Sequence, residues 1–176
     1  MKRGLLTLLL CAGPALADPT VSIPDGYRTE HYRAPVPDSV PGATVLDTDA
    51  VRSLIDAGQA VLIDVLPAPR RPDGMRSEMP WLPARHRTVP GSLWWPEVGR
   101  GALAPDLEQR FRARLAQVAT PGRVVVFLCL SDCWMSWNAA RRAASYGVQA
   151  GWYPDGADGW ARAGLPLQEV RPDSLD

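Results

Sequence analysis

The sequence predicts an α/β fold with a mainly parallel sheet flanked by helices, and three observations predict it. Ala60-Val-Leu-Ile-Asp-Val65 and Val124-Val-Val-Phe-Leu128 are short apolar runs rich in β-branched residues, the pattern of strands buried on both faces, and Val148 to Tyr153 reads as another strand. Segments with helical spacing of apolar residues alternate with these runs. Pro, Gly and polar turn residues punctuate the alternation, as β–α units require. A chain of 176 residues builds one domain with a proper core and is short for two.

The first residues read as an address, outside that domain. Lys2 and Arg3 form a positive n-region, Gly4 to Leu10 an apolar run too short to span a bilayer, and Ala15-Leu-Ala17 a small-x-small cleavage site. The expectation is a signal peptide over residues 1–17, cut after Ala17, giving a periplasmic protein with no membrane anchor. Cys11 follows Leu10, where lipid attachment favours a small residue, which argues against a lipoprotein. Loss of Lys2 and Arg3 moves the formal balance from 0 to −2. Neither sign dominates, so no affinity for nucleic acid or anionic membrane is expected.

Residues 18–45 carry five prolines and read as an extended N-terminal arm, with Tyr27 and Tyr32 as candidate pins. The domain proper is expected over 46–176. Thr48 should cap a short helix with Val51, Leu54 and Ile55 on one face, closed by Gly58. After the strand at 60–65, residues 66–88 read as a long loop holding Arg70, Arg71, Arg76, Arg85, His86 and Arg87. Loops of that length are usually functional. Val89 to Trp95 returns to an extended conformation. Pro105 opens an amphipathic helix burying Leu107, Phe111, Leu115 and Val118. The strand at 123–128 leads into a turn and a short helix with Trp137, Ala140 and Ala144 inward and Gly147 at its end. Pro154 to Gly159 reads as a tight turn before a small helix carrying Trp160.

The chemistry concentrates in the turn Cys129-Leu-Ser-Asp-Cys133-Trp134. Of the three cysteines only Cys129 and Cys133 survive processing. In an oxidising compartment a lone pair is either a disulfide or a redox site kept reduced by a partner. At a strand-to-helix turn, converging amides and the helix dipole lower a thiol's pKa. Cys129 is thus a nucleophilic thiolate cradled by the amides of 130–135, half of a structural disulfide, or a small buried apolar residue at a strand end. Four residues, about one helical turn, separate the two cysteines; if the segment is helical their Cα atoms are ~6 Å apart, in the upper part of the disulfide range. Both remain catalytic candidates.

Asp132 either carries a proton for Cys133 or caps the following helix. Trp134, Trp137, Trp152 and Trp160 either frame a flat pocket or pack in the core. Asp64 ends a strand at the carboxyl edge where α/β ligand sites open, with pairing to a loop arginine as its plainer role. Arg87 and the other loop arginines, with His86, suit an anion or an acidic partner surface, or are simply solvated. No metal-ligand spacing links the histidines to the cysteines, so no metal and no permanently bound cofactor are expected.

From Leu46 onward the chain resembles a rhodanese domain. The resemblance rests on Leu62-Ile-Asp-Val65, Val89-Pro-Gly-Ser92, Val124 to Cys129, Ala139-Ala140, and Asp155 to Trp160 followed by Ala163-Gly-Leu-Pro166. Asp132-Cys-Trp-Met-Ser-Trp-Asn-Ala-Ala-Arg141 and Trp152-Tyr-Pro-Asp-Gly156 are similar to the exported rhodanese-like proteins of PQQ-dependent alcohol catabolism, labelled by a CXXCW motif. Here three residues separate the cysteines where that label has two. Position 134 is Trp where a sulfurtransferase loop carries Arg. The resemblance implies an accessory protein acting by thiol–disulfide or sulfur-relay chemistry on a partner, such as a periplasmic quinoprotein dehydrogenase or its cytochrome. It also implies any link to PQQ. A non-catalytic binding module and a thiosulfate sulfurtransferase are the alternatives.

Overall fold

The computed structural model describes residues 21–175, so the expected signal peptide and its cleavage lie outside the described residues. In chain order the elements are β1 (Thr44–Val45), α1 (Thr48–Asp56), β2 (Ala60–Asp64), β3 (His86–Thr88), β4 (Leu93–Trp94), α2 (Pro105–Val118), β5 (Val124–Leu128), α3 (Trp134–Ser145), β6 (Ala150–Trp152), α4 (Gly156–Arg162) and β7 (Gln168–Val170). Five strands form one sheet in the order β1-β6-β5-β2-β4, and every pair is parallel. The α/β expectation holds.

Side-chain alternation along the strands divides the core in two. Val61, Ile63 and Val65 point with Val125, Phe127 and Cys129 toward α2 and α3. Leu62, Val126 and Leu128 point the other way, toward α1 and α4. On the first face Phe111 of α2 meets Trp95 and Phe127 edge-on, at centroid distances of 6.1 and 6.2 Å. Each such pair adds about 0.5–1.5 kcal/mol beyond the area it buries.

Several local expectations are corrected. Asp47, not Thr48, caps α1: its side chain accepts from the Ala50 amide at 2.8 Å. Thr48 is the first helical residue, and its hydroxyl bonds to the Tyr153 hydroxyl at 2.8 Å. Gly58, at φ +67, follows the end of α1 in the left-handed conformation and returns its amide to Ile55 O. Residues 86–88 are not loop. They pair antiparallel with β7, His86 opposite Val170 and Thr88 opposite Gln168, because the chain after α4 supplies partners the local sequence does not reveal. Likewise α4 starts at Gly156, inside the expected turn.

Helix α3 is buried well beyond the expected stripe. Nine of its twelve residues are buried while Ala144 is only half-buried, so this is an internal helix. The sheet covers one side of it and the N-terminal arm the other.

Candidate functional site

Cys129 directly follows β5, and Cys133 is the N-cap residue of α3. Their sulfurs are joined in a disulfide with Cα atoms 6.2 Å apart. Cys129 is 0 % exposed and Cys133 3 %. Because the helix starts at Trp134, it is Cys133 that sits where amide dipoles favour a thiolate.

The amide cradle expected around Cys129 is already occupied in part. The Ser131 amide donates to Asp158 Oδ1 at 2.6 Å, and the Trp134 amide donates to Tyr32 O at 2.9 Å. Asp132 adopts φ +52, and its carbonyl accepts from the Ala34 amide at 3.1 Å. Its carboxylate does not cap α3, which has no side-chain cap hydrogen bond. The turn's shape is therefore set by Asp158 from α4 and by the arm.

The arm runs directly over the turn. Arg33 forms an antiparallel bridge with Cys133 and donates from Nη1 to Ser131 O at 2.7 Å. Trp134 Nε1 donates to Pro35 O, and Trp137 Nε1 to Ser39 O. Asn138, buried on α3, accepts from the Arg28 amide and donates to Arg28 O and Gly99 O. The two expected tyrosine pins are present: Tyr32 Oη accepts from the Gly101 amide, and the Arg142 guanidinium lies 4.2 Å from the Tyr27 ring. Sequence reasoning placed the arm near the domain but not over the cysteines.

Two cations reach the turn from outside it. Besides Arg33, Arg162 of α4 donates from Nη2 to Ser131 Oγ at 2.6 Å and lies 3.6 Å from Asp158. Burial alone would raise the Asp158 pKa. The hydrogen bonds from Ser131 N and Oγ, with Arg162, outweigh that and hold the carboxyl below the ordinary aspartate value. Its hold on the turn is fully present above about pH 3.9, the ordinary aspartate pKa, and is lost as pH falls through the lower folded value. Asp158→Asn is therefore expected to be less stable than wild type near neutrality. Urea denaturation across pH should show that gap closing on acidification.

The remaining candidates do not gather at the sulfurs. Trp134 and Trp137 pack edge-on at 5.2 Å, and Trp152 Nε1 donates to Ser136 Oγ. Trp160 belongs to the core on the opposite sheet face and donates to Pro166 O. The four indoles thus pack in two cores and frame no common pocket among the described residues. Asp64 lies, by strand alternation, on the sheet face away from Cys129. Its partner is not a loop arginine but His86: Oδ2 and Nε2 are 2.8 Å apart, with Asp64 fully buried. Arg87 points outward from β3 and donates to Leu167 O. The in–out–in order of His86, Arg87 and Thr88 was the available signal for this.

No family model and no curated protein matches the chain. Among solved structures, EanB in complex with hercynine superposes with a TM-score of 0.52 at 20% identity, over 79% of this chain and 34% of that one. The chain thus spans about a third of EanB's length. A thiosulfate sulfurtransferase from Pseudomonas aeruginosa gives a TM-score of 0.47 at 18% identity, over 74% of this chain and 21% of that one. A human single-domain sulfurtransferase, TSTD1, gives 0.40 at 20%, over 69% and 97%. The fold is rhodanese-like, and at these identities the likeness is one of fold.

Proposed function

We propose that this chain is an exported, rhodanese-like accessory protein that exchanges disulfides with a partner in PQQ-dependent alcohol catabolism. The observation that carries the chemistry is the Cys129–Cys133 disulfide at a strand-to-helix turn, with Cys133 at the start of α3. As a staple it is weak. Closing so short a loop contributes about 2 kcal/mol in the chain-entropy picture, against about 3 for fifteen residues. Export, the link to PQQ and the quinoprotein dehydrogenase or cytochrome partner rest on the leader and on the CXXCW resemblance.

In the exchange, a partner thiolate attacks Cys133 Sγ, the less buried sulfur, and Cys129 leaves as a thiolate. A second partner thiolate then attacks the partner's sulfur in the mixed disulfide and releases Cys133. The partner dithiol is oxidised to a disulfide, the pair gains two electrons, and two protons pass from partner to chain or solvent. The α3 dipole favours the Cys133 thiolate. Arg33 and Arg162 would favour an acidic surface beside the attacking thiolate. Access requires the arm at 32–35 to lift.

Burial of both sulfurs favours a second reading, a structural disulfide in a non-catalytic binding module. A third, thiosulfate sulfurtransfer, is opposed by Trp134 in the place of the cradle arginine and by the occupied Ser131 and Trp134 amides. Trapping separates these. Cys129→Ser leaves a Cys133 thiol with no resolving partner. In the periplasm of cells growing on alcohols its thiolate is expected to attack the disulfide of the oxidised partner, whose second sulfur leaves as a thiolate, and to stay as a mixed disulfide visible on non-reducing gels. No adduct would favour the module, and cyanide-dependent turnover of thiosulfate by wild type would favour the sulfurtransferase.

A further inference from the structure

A second site lies on the sheet face away from the disulfide, and its argument is independent of the disulfide's role. Cavities beside Ala60, Gly122 and Gln149 open at the amino ends of the strands. Ligands of α/β sheets bind at the opposite, carboxyl ends. One cavity, of about 300 Å³, opens there beyond β2, between the 66–85 loop and the chain after β7. That volume is at the lower end for small-molecule sites and suits a single ring with substituents.

Its walls are apolar and fixed. Pro69, Pro83, Pro172 and the Trp94 indole line it. Trp94 is held at both ends of its residue: Nε1 donates to Leu66 O at 2.6 Å and the backbone amide to Asp173 Oδ2 at 2.7 Å. His86 lies against it, with ring centroids 4.4 Å apart.

Its polar side chains are Arg85, His86, Glu169 and Arg171, with Asp64 behind His86. Asp64 Oδ1 accepts from the Leu66 amide, and Oδ2 meets His86 Nε2. An aspartate carboxylate only accepts, which puts the proton of that bond on Nε2. Nδ1 of His86 makes no hydrogen bond among the described residues, and in the neutral ring it is an acceptor. Arg85 at the rim is engaged by Glu169 at 3.0 Å. Arg171 lines the same cavity without a hydrogen-bond or ion-pair partner among the described residues.

We infer that this cavity binds a small aromatic carboxylate bearing a hydroxyl group. Arg171 takes the carboxylate, Trp94 and the prolines take the flat ring, and the hydroxyl donates to His86 Nδ1. Asp64 is a positioning residue, since it fixes the tautomer that makes Nδ1 an acceptor.

The chain has two histidines, His31 and His86, so their ring resonances can be followed separately by NMR. Titration of the full chain with 4-hydroxybenzoate is expected to shift His86 saturably and leave His31 unmoved. Arg171→Ala, at an exposed position that should not disturb folding, is expected to weaken 4-hydroxybenzoate about tenfold. It should leave 4-methylphenol, which lacks the carboxylate, unchanged. The inference is overturned by shifts that do not saturate, by equal movement of His31, or by undiminished binding in Arg171→Ala.

Discussion

Arg142→Met is expected to destabilise the fold by about 3–5 kcal/mol, because it strips the donor from three carbonyls at about 1–3 kcal/mol each. Arg142, in the last turn of α3, is 2 % exposed. Its guanidinium donates to three carbonyls, Val98 O at 3.1 Å and Arg100 O and Gly101 O at 2.9 Å. Burial pulls its pKa below the ordinary arginine value, partly offset by Tyr27, Tyr146 and Glu108. Methionine conserves length and apolar volume but leaves those carbonyls without donors. It also removes the cation stacked on Tyr27, one of the contacts holding the arm. Urea denaturation measures the loss. Since arm and helix are linked here, the variant should also let a dithiol reduce Cys129–Cys133 faster than wild type does. Arg142→Lys should recover only part of the stability, because an ammonium cannot present the planar fork that reaches three acceptors.

Gly156→Ala is expected to cost about 3 kcal/mol, from left-handed backbone strain together with overpacking. Gly156 has φ +61, and its Cα lies against the turn it helps to shape. A Cβ there would stand 2.7 Å from Leu130 C and 2.8 Å from Cys129 C. Those are backbone atoms, with no flexible side chain to swing aside, so the cysteine turn itself must move. Gly122→Ala is the control: φ is +80, but nothing lies within 4 Å of the added Cβ, leaving only the conformational cost. Thermal denaturation of both variants, with the rate of disulfide reduction in each, separates backbone strain from displacement of the turn.

What the sequence made legible was local. The runs at 60–64 and 124–128 are continuous and β-branched, so their burial on both faces could be read directly. Pro105 fixed the start of α2, and Phe111 and Leu115 its buried face. The 6.2 Å between the cysteine Cα atoms matches the distance expected of a helical turn, but residues 130–133 are not helical and α3 begins only at Trp134. Each of these depends on residues within a few positions of one another.

What escaped depends on partners far apart in the chain. β3 exists because Val170 and Gln168 lie opposite His86 and Thr88, 84 and 80 residues on. The Asp64–His86 pair joins a strand end to a segment that reads as loop. Tyr32 and Asp158 fill amides that looked free from the turn alone, which turns an open cradle into a covered one. The width of α3's buried surface follows from the same cause. Its Trp-Met-Ser-Trp-Asn opening carries Asn138, whose partner Arg28 O appears only once the arm is in place, whereas Ser136 donates locally to Cys133 O.

The central claim is that Cys129 and Cys133 form an exchanging pair beneath a movable arm, so the reduction potential of that pair tests it most directly. Protein equilibrated in graded dithiol buffers, alkylated and weighed intact reports the oxidised fraction at each potential. An exchanging pair should titrate at a potential above about −300 mV, within reach of a periplasmic partner. A midpoint below about −300 mV would mark a structural bridge and contradict the account.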